Sequence, residues 1–409
     1  MNNNKKALLN NTFALFLNQI ILYVFPFIVV PYLTRIFTVD TYGRINYAQA
    51  IVEYFAMFIA FGFGIFGVRE IATNRNNPET VNKIYNTVFF SQLILFCISL
   101  LLLIILCCLP KFRNDYYIFL LLFLQQFGII LYSAWFYQGI ENMKFITILN
   151  LIGHVLEIIL TFLLIKSNDD FLLWLILIVL NITFIGIISW FIRKKYFNIK
   201  YIAVSLKDIW EKLKGSSQFF LSETAVYFYR QANIVVLGLV QSATIVAYYS
   251  TANKLFFAGA GVCYTLTNSL FPYMSKNRDK EFFKKLLLYV SVFGIIISIC
   301  LFLFAKPVIC LIYSDKYLEA VKVLQIFSFA FLFNILEVML GFPFLGAYGY
   351  IKETNACFIF GAVYNTLGLI ILYFLGQINL HSVAILAAST CFVMFLHRVY
   401  YVLKFKLLK

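Results

Sequence analysis

Charged residues are scarce in this sequence. Only 12% of the 409 residues are Asp, Glu, Lys or Arg, whereas 62% are hydrophobic and the mean hydropathy is +0.87. A soluble domain of this length could not bury so much apolar surface. The composition therefore excludes a sizeable soluble domain and indicates a protein that crosses a lipid bilayer several times.

Patterns typical of catalysis or metal binding are also lacking. The eight cysteines lie in apolar segments without C-x-x-C spacing, which argues against both a disulfide frame and a zinc site. His154 and Glu157 stand three residues apart, and two ligands without a third favour a hydrogen-bonded pair between helices over a metal site. The motif "GFGIFG" at residues 62–67 has no strand before it, so it predicts helix packing or a flexible helix end rather than a dinucleotide site. We recognise no ATP site and no nucleophile with its base, and we predict a protein that is not an enzyme and holds no cofactor or metal.

Apolar stretches long enough to span a bilayer recur along the whole chain. They predict an all-α integral membrane protein with about twelve transmembrane helices. The predicted spans cover residues 11–34, 46–67, 84–109, 115–139, 145–165, 171–192, 216–240, 245–273, 283–305, 319–345, 353–376 and 380–403.

The net charge of +15 is distributed unevenly between the predicted loops. With the N-terminus in the cytoplasm, 23 Lys and Arg fall on the cytoplasmic side and 8 on the other, while Arg230 and Lys254 remain within spans. This bias follows the positive-inside rule and predicts that both termini are cytoplasmic. The basic run at residues 193–214 is better explained as a topology anchor against anionic membrane lipid than as a nucleic-acid site, so we expect no nucleic-acid partner.

Weak sequence matches at an offset of 204 residues indicate an internal repeat. "FLNQ" at residues 16–19 corresponds to "FLSE" at 220–223, and "YAQA" at 47–50 corresponds to "TANK" at 251–254. Because each half contains six helices of the same orientation, the repeat is parallel. We therefore predict two six-helix bundles, at residues 1–192 and 216–409, joined by a basic cytoplasmic linker at residues 193–215.

Ionisable residues inside the predicted spans are the candidate functional residues. On helix seven, the residues at 223, 227, 230 and 233 share one face and form a polar stripe. Charges within a membrane span nearly always face a bundle interior or a water-filled cavity. Pairing between helices as structural glue is the alternative for any one of them. The predicted cavity residues are Glu53, Glu223, Tyr227, Arg230, Asn233, Lys254 and Glu337.

Three segments resemble bacterial polysaccharide flippases. They are "PYLTRIFTVDTYGRINYAQAI" at residues 31–51, "GFGIFGVREIATNRN" at 62–76 and "WFYQGIENMKFITILN" at 135–150. The resemblance is strongest over the first 150 residues, and it is to the Wzx O-antigen flippases. These belong to the MOP superfamily, which also contains multidrug exporters of the MATE type and lipid II flippases.

The resemblance implies a transporter of the bacterial inner membrane. Such proteins move an undecaprenyl-pyrophosphate-linked oligosaccharide from the cytoplasmic to the periplasmic leaflet by alternating access, for lipopolysaccharide biosynthesis. The O-antigen polymerase and the chain-length regulator are the protein partners implied. Arg230 and Lys254 could then bind the pyrophosphate.

Other functions and details stay open at this stage. Lipid II flippases carry several arginines on the first two helices, where this chain has Asn18, Gln19, Ala50 and Glu53, which argues against lipid II as substrate. A MATE-type drug exporter coupled to a cation could use the three glutamates, and a non-transporting scaffold for glycan assembly is a third alternative. A carboxylate in the cavity could couple transport to protons or sodium. Pro26 lies within the first span and is the predicted hinge.

Overall fold

The chain folds almost entirely into helices. The computed structural model describes the backbone of residues 3–407 and, from residue 17 on, all side chains of that range except those of residues 23, 222, 223, 225, 226, 228, 229, 262, 265, 266, 268 and 269. The α-helices, in chain order α1 to α16, are Asn3–Ile36, Val39–Ala60, Phe63–Asn74, Pro78–Cys107, Pro110–Arg113, Tyr116–Tyr132, Ala134–Gly139, Lys144–Leu164, Phe171–Tyr196, Leu206–Val240, Ala243–Asn277, Lys280–Leu303, Ala305–Ile312, Ala320–Leu340, Ile351–Phe374 and Leu380–Lys404. A π-helix, Gly341–Gly346, follows α14.

The predicted class of an all-α membrane protein is confirmed. Ten helical stretches in the described part of the chain are long and apolar enough to cross a membrane. Two further long helices, α10 and α11, contain the predicted seventh and eighth spans. The count of twelve is therefore approximate, and the chain is a multi-pass membrane protein.

Contacts divide the chain into two compact units. The first comprises Met1–Thr38 and Ala48–Thr224, and the second comprises Val39–Tyr47 and Ala225–Lys409. The first turns of α2 thus belong to the second unit. The division near residue 224 falls inside α10, which is one continuous helix.

Glycines and one arginine hold α6 and α9 together in the first unit. A Cβ on Gly128 would lie 2.8 Å from the backbone nitrogen of Thr183, so the two helices can approach this closely only with glycine there. Arg193 of α9 is 1% exposed and donates to the carbonyl oxygens of Leu131 at 2.5 Å and Tyr132 at 2.8 Å. These carbonyls end α6, so the guanidinium caps that helix where its dipole favours a cation.

The basic segment after α9 is packed against the first unit. The side chains of Asn82 and Asn86 on α4 bind the backbone of Lys200, through Asn82 Oδ1 at 2.8 Å and Asn86 Nδ2 at 2.8 Å. Helix α10 then begins at Leu206, ten residues before the predicted span. Its first turns form ion pairs with earlier helices, Asp208 with Lys83 at 2.7 Å and Lys212 with Glu70. The hydrogen bond from Lys83 lowers the pKa of Asp208 to about 2, so this pair persists until the pH falls to about that value.

The "GFGIFG" motif lies at a break between two helices. Phe61 and Gly62 have φ values of 42° and 71°, in the left-handed region that glycine adopts without strain, and they separate α2 from α3. A Cβ on Gly67 would lie 2.8 Å from the Trp135 ring. Both findings agree with the interpretation as helix packing and a helix end.

Pro26 lies inside α1, which remains helical from Asn3 to Ile36. Its role as a hinge stays a prediction.

His154 and Glu157 lie on one helix, α8, with His154 Nδ1 and Glu157 Oε2 3.8 Å apart. No group of three metal-ligating side chains occurs among the described residues.

In the second unit, α14 packs against α11, α12 and α16. The core around the π-helix includes Phe283 and Phe344, whose rings stack with their centroids 4.1 Å apart. A π-helix inside a membrane span is rare and often marks a functional position.

Candidate functional site

Arg230 lines a small cavity within the second unit, together with both polar and apolar side chains. Its guanidinium is centred 4.2 Å from the centroid of the Phe257 ring, a cation–π contact between α10 and α11. The cavity has a volume of about 30 Å³, which is room for one or two water molecules. Its polar lining consists of Arg230, Asn233, Tyr249, Asn253, Asn365 and Thr390.

The cavity combines a cation with hydrogen-bond acceptors. The amide oxygens of Asn233 and Asn365 are buried and have no hydrogen-bond partner in the described part of the chain. Acceptors of this kind suit a ligand that carries hydroxyl groups, whereas the guanidinium suits an anion. No carboxylate of the described residues lies within ion-pair distance of Arg230, so its charge is not neutralised by a described side chain.

Lys254 contacts a different set of residues. Its Nζ donates to Asn46 Oδ1 at 2.5 Å and to the Tyr42 hydroxyl at 3.3 Å, and it lies 5.1 Å from the centroid of the Tyr42 ring. Lys254 and Phe257 are three residues apart on α11, which corresponds to about 4.5 Å of helix rise. Lys254 and the residue that contacts Arg230 are thus about one helical turn apart along α11.

Glu337 is buried in an ion pair. Its carboxylate lies 2.6 Å from Nη2 of Arg398, and both side chains are 2% exposed. The arginine lies against Gly341, where a Cβ would come within 1.3 Å of its Nη1. Arg398 also lines a separate cavity of about 270 Å³ with Tyr264, Thr267 and several apolar side chains, whereas Glu337 lines neither cavity.

The other predicted cavity residues with described side chains line neither of these two cavities. Glu53 is half-buried in the first unit and interacts with another residue. Tyr227 is 40% exposed. The side chain of Glu223 lies outside the described residues. Of the predicted residues whose side chains the structure describes, Arg230 and Asn233 line one of the two cavities together.

Two arginines are buried and bind other helices, which the sequence analysis does not predict. Arg193 and Arg398 were counted as charges on the cytoplasmic side, yet each is 1% exposed. Helical periodicity contains the signal for Arg398, because Thr390, Met394, Arg398 and Val402 recur every four residues and are all buried. The same holds for Arg193, which follows the buried Ser189 by one turn.

Comparison with known protein families gives one match that covers most of the chain. The model of the family described as "Polysaccharide biosynthesis protein" matches residues 8–278. A curated protein of Shigella dysenteriae named "Putative O-antigen transporter" is 32% identical over 309 residues, which is 75% of this chain and 78% of the relative. A protein of the same name from Escherichia coli (strain K12) is 27% identical over 367 residues, 88% of each chain.

Solved structures show the same fold at low sequence identity. The lipid II flippase MurJ in an inward closed conformation aligns with a TM-score of 0.72 and 16% identity, covering 96% of this chain and 87% of that chain. A multidrug resistance MATE family transporter of the MOP superfamily, in an inward-facing conformation, aligns with a TM-score of 0.70 and 15% identity over 95% of each chain. Both comparisons identify the architecture, and neither identifies a substrate.

Proposed function

Since this chain belongs to the polysaccharide biosynthesis protein family, we propose that it is a flippase for an undecaprenyl-pyrophosphate-linked oligosaccharide in the bacterial inner membrane. The names of its relatives support an O-antigen unit, or that of another surface polysaccharide, as the cargo. The excess of Lys and Arg on one side supports cytoplasmic termini. Because its relatives are named transporters, the prediction that the chain is not an enzyme agrees with the family.

The observation that carries this proposal is the environment of Arg230. An arginine in a membrane helix is costly, and structural arginines are normally paired with a carboxylate or with backbone carbonyls. Arg398 and Arg193 have such partners, whereas Arg230 has an aromatic ring and neutral amides around it. A diphosphate would supply a negative charge and accept hydrogen bonds from the guanidinium fork.

The sugar part of the cargo is supported by the acceptors beside Arg230. Sugar hydroxyls can donate to the amide oxygens of Asn233 and Asn365. A cavity of about 30 Å³ is too small for an oligosaccharide, so cargo binding requires a more open arrangement of these side chains. This requirement is consistent with transport by alternating access.

The drug-exporter alternative has less support. It depends on carboxylates that could hold a cationic drug or a coupling ion. Glu337 is already neutralised by Arg398, and Glu53 has an interaction partner. The likeness to the MATE structure concerns the fold alone.

Arg230→Ala is the test of this function. We expect surface polysaccharide in a host without its own copy to fall about ten- to hundredfold, because charged hydrogen bonds to phosphate are lost. Arg230→Lys should restore only part of the display, since an ammonium cannot bind phosphate as a fork. Surface polysaccharide is measured by gel analysis, and the amount of protein in the membrane by immunoblot.

Arg278→Ala is the matched control. Arg278 also stacks on an aromatic ring, that of Tyr348, with its guanidinium 5.8 Å from the ring centroid, but it is exposed at the end of α11. We expect normal display from this variant. Wild-type display by Arg230→Ala at native expression would refute the proposal.

A further inference from the structure

Residues Val39–Tyr47 form a tight contact with α10 and α11 inside the second unit. A Cβ on Gly43 would lie 1.8 Å from the carbonyl oxygen of Ala243, so the two backbones touch. A Cβ on Gly238 would lie 2.1 Å from the Tyr47 ring. Close approach at both places requires glycine. The first turns of α2 are therefore packed on the second unit although the rest of α2, from Ala48, belongs to the first.

The partners of Lys254 in this segment, among the described residues, are neutral groups. Its partners Asn46 and Tyr42 are each 3% exposed, whereas the lysine itself is exposed. Among the described residues no carboxylate lies within ion-pair distance of its ammonium. The asparagine and the tyrosine offer the ammonium hydrogen bonds to neutral oxygens, whereas an anion offers a hydrogen bond and the attraction between opposite charges. An anion that reaches the exposed lysine would therefore compete effectively with the asparagine and the tyrosine.

We propose that Lys254 is a latch operated by the diphosphate of the cargo. In the latched arrangement the ammonium holds Asn46 and Tyr42. A diphosphate bound at Arg230 lies about one helical turn away and takes over the ammonium, which releases Val39–Tyr47 from α11. The choice of a diphosphate rests on the proposed function, whereas the competition for Lys254 follows from the contacts alone.

Competition of this kind has a reciprocal consequence. A ligand shifts a conformational equilibrium only through its different affinity for the two states, and removal of the competing state must raise the affinity for the ligand. Asn46→Ala removes the stronger competitor, so it should tighten binding of undecaprenyl pyrophosphate about tenfold, the factor that one hydrogen bond to a charged group is worth. Tyr42→Phe removes only the hydroxyl at 3.3 Å and should tighten binding less.

Ser250→Cys reports the release directly. Positions 243, 247, 250 and 254 share one face of α11. Two residues of this face, Ala243 and Lys254, contact Val39–Tyr47. Ser250 is 1% exposed, so a cysteine there is covered while the latch is closed. Ser328→Cys on α14 is the matched control, because Ser328 is equally buried.

The experiment uses the full chain in proteoliposomes, with maleimide labelling at each cysteine resolved by peptide mass spectrometry. Undecaprenyl pyrophosphate should raise labelling at position 250 at least fivefold and leave position 328 unchanged, and undecaprenol, which lacks the charge, should raise neither. With Asn46→Ala, labelling at position 250 should be high without any lipid, and with Tyr42→Phe it should rise less. The latch is refuted if labelling at position 250 does not change with the diphosphate lipid. It is also refuted if the Asn46→Ala variant binds this lipid no more tightly than the wild type does.

The two proposals fail in different ways. If the labelling experiment refutes the latch but Arg230→Ala still loses surface polysaccharide, the proposed flippase function stands. Unchanged display in Arg230→Ala together with labelling at position 250 that still responds to the diphosphate lipid would keep the competition for Lys254 and reject the proposed role of Arg230 in cargo binding.

Discussion

Arg398→Ala is expected to lower the free energy of unfolding by about 3–5 kcal/mol, because it leaves the carboxylate of Glu337 buried and unpaired. The two side chains lie 2.6 Å apart and are almost fully buried. A loss of this size corresponds to a melting temperature lower by roughly 10 °C for a unit of this length. Size-exclusion chromatography of the detergent-solubilised protein after heating measures this shift.

Lys404→Ala, an exposed cation near the end of the same helix, is the control and should leave the melting temperature unchanged. The double variant Glu337→Leu, Arg398→Met should recover most of the lost stability, since replacing a buried pair by apolar side chains is often neutral. An Arg398→Ala variant as stable as Lys404→Ala would contradict the importance of this pair.

The same double variant decides the role of Glu337, which the sequence predicts as a cavity residue. If the carboxylate serves only to balance Arg398, the double variant should display surface polysaccharide normally. If it also contacts cargo or a coupling ion, display should be lost although the protein stays folded. The two roles are thus separated by a stability measurement and a display measurement on one protein.

Gly43→Ala is expected to open the contact between α2 and α11 without any ligand. The new Cβ would lie 1.8 Å from the Ala243 oxygen, and backbone atoms cannot be relieved by a change of rotamer. We expect a loss of stability of about 1–3 kcal/mol from the forced separation. Labelling of a cysteine at position 250 should rise to the level otherwise reached with the diphosphate lipid.

Gly64→Ala is the matched substitution, because it is also a helical glycine but has no atom within 4 Å of the new Cβ. Alanine is the better helix former, so this variant should be as stable as the wild type or slightly more stable. Equal labelling and equal melting temperatures in the two variants would show that the Gly43 contact is unimportant.

The class and the approximate number of spans could be predicted because an apolar run of about 20 residues is a property of consecutive residues. The start of α10 could not, since Lys207 and Lys212 are polar and still helical, and Lys212 is bound to Glu70 of α3. The hydropathy pattern detects the membrane boundary and misses a helix that continues beyond it.

The candidate site was predicted in part for the same reason. Arg230 and Asn233 lie about one turn apart on one helix, so periodicity predicts that they share a face, and both line one cavity. The partners of Lys254 and Glu337 are distant in sequence, Asn46 by 208 residues, and no periodic pattern relates them. Such pairs depend on which helices pack together, and a single sequence does not contain that information in readable form.

The division of α2 between the two units matters for the design of chimaeras between related transporters. A crossover in the loop at residues 197–205 follows the division that the sequence predicts. It would, however, take Val39–Tyr47 from one parent and Ala225–Lys409 from the other, although both belong to the second unit. Tyr42, Gly43 and Asn46 would come from one parent, and Ala243 and Lys254 from the other. A recombinant that exchanges residues 39–47 together with the second unit keeps these contacts within one parent, and it is the design in which cargo preference can be assigned to one half of the chain.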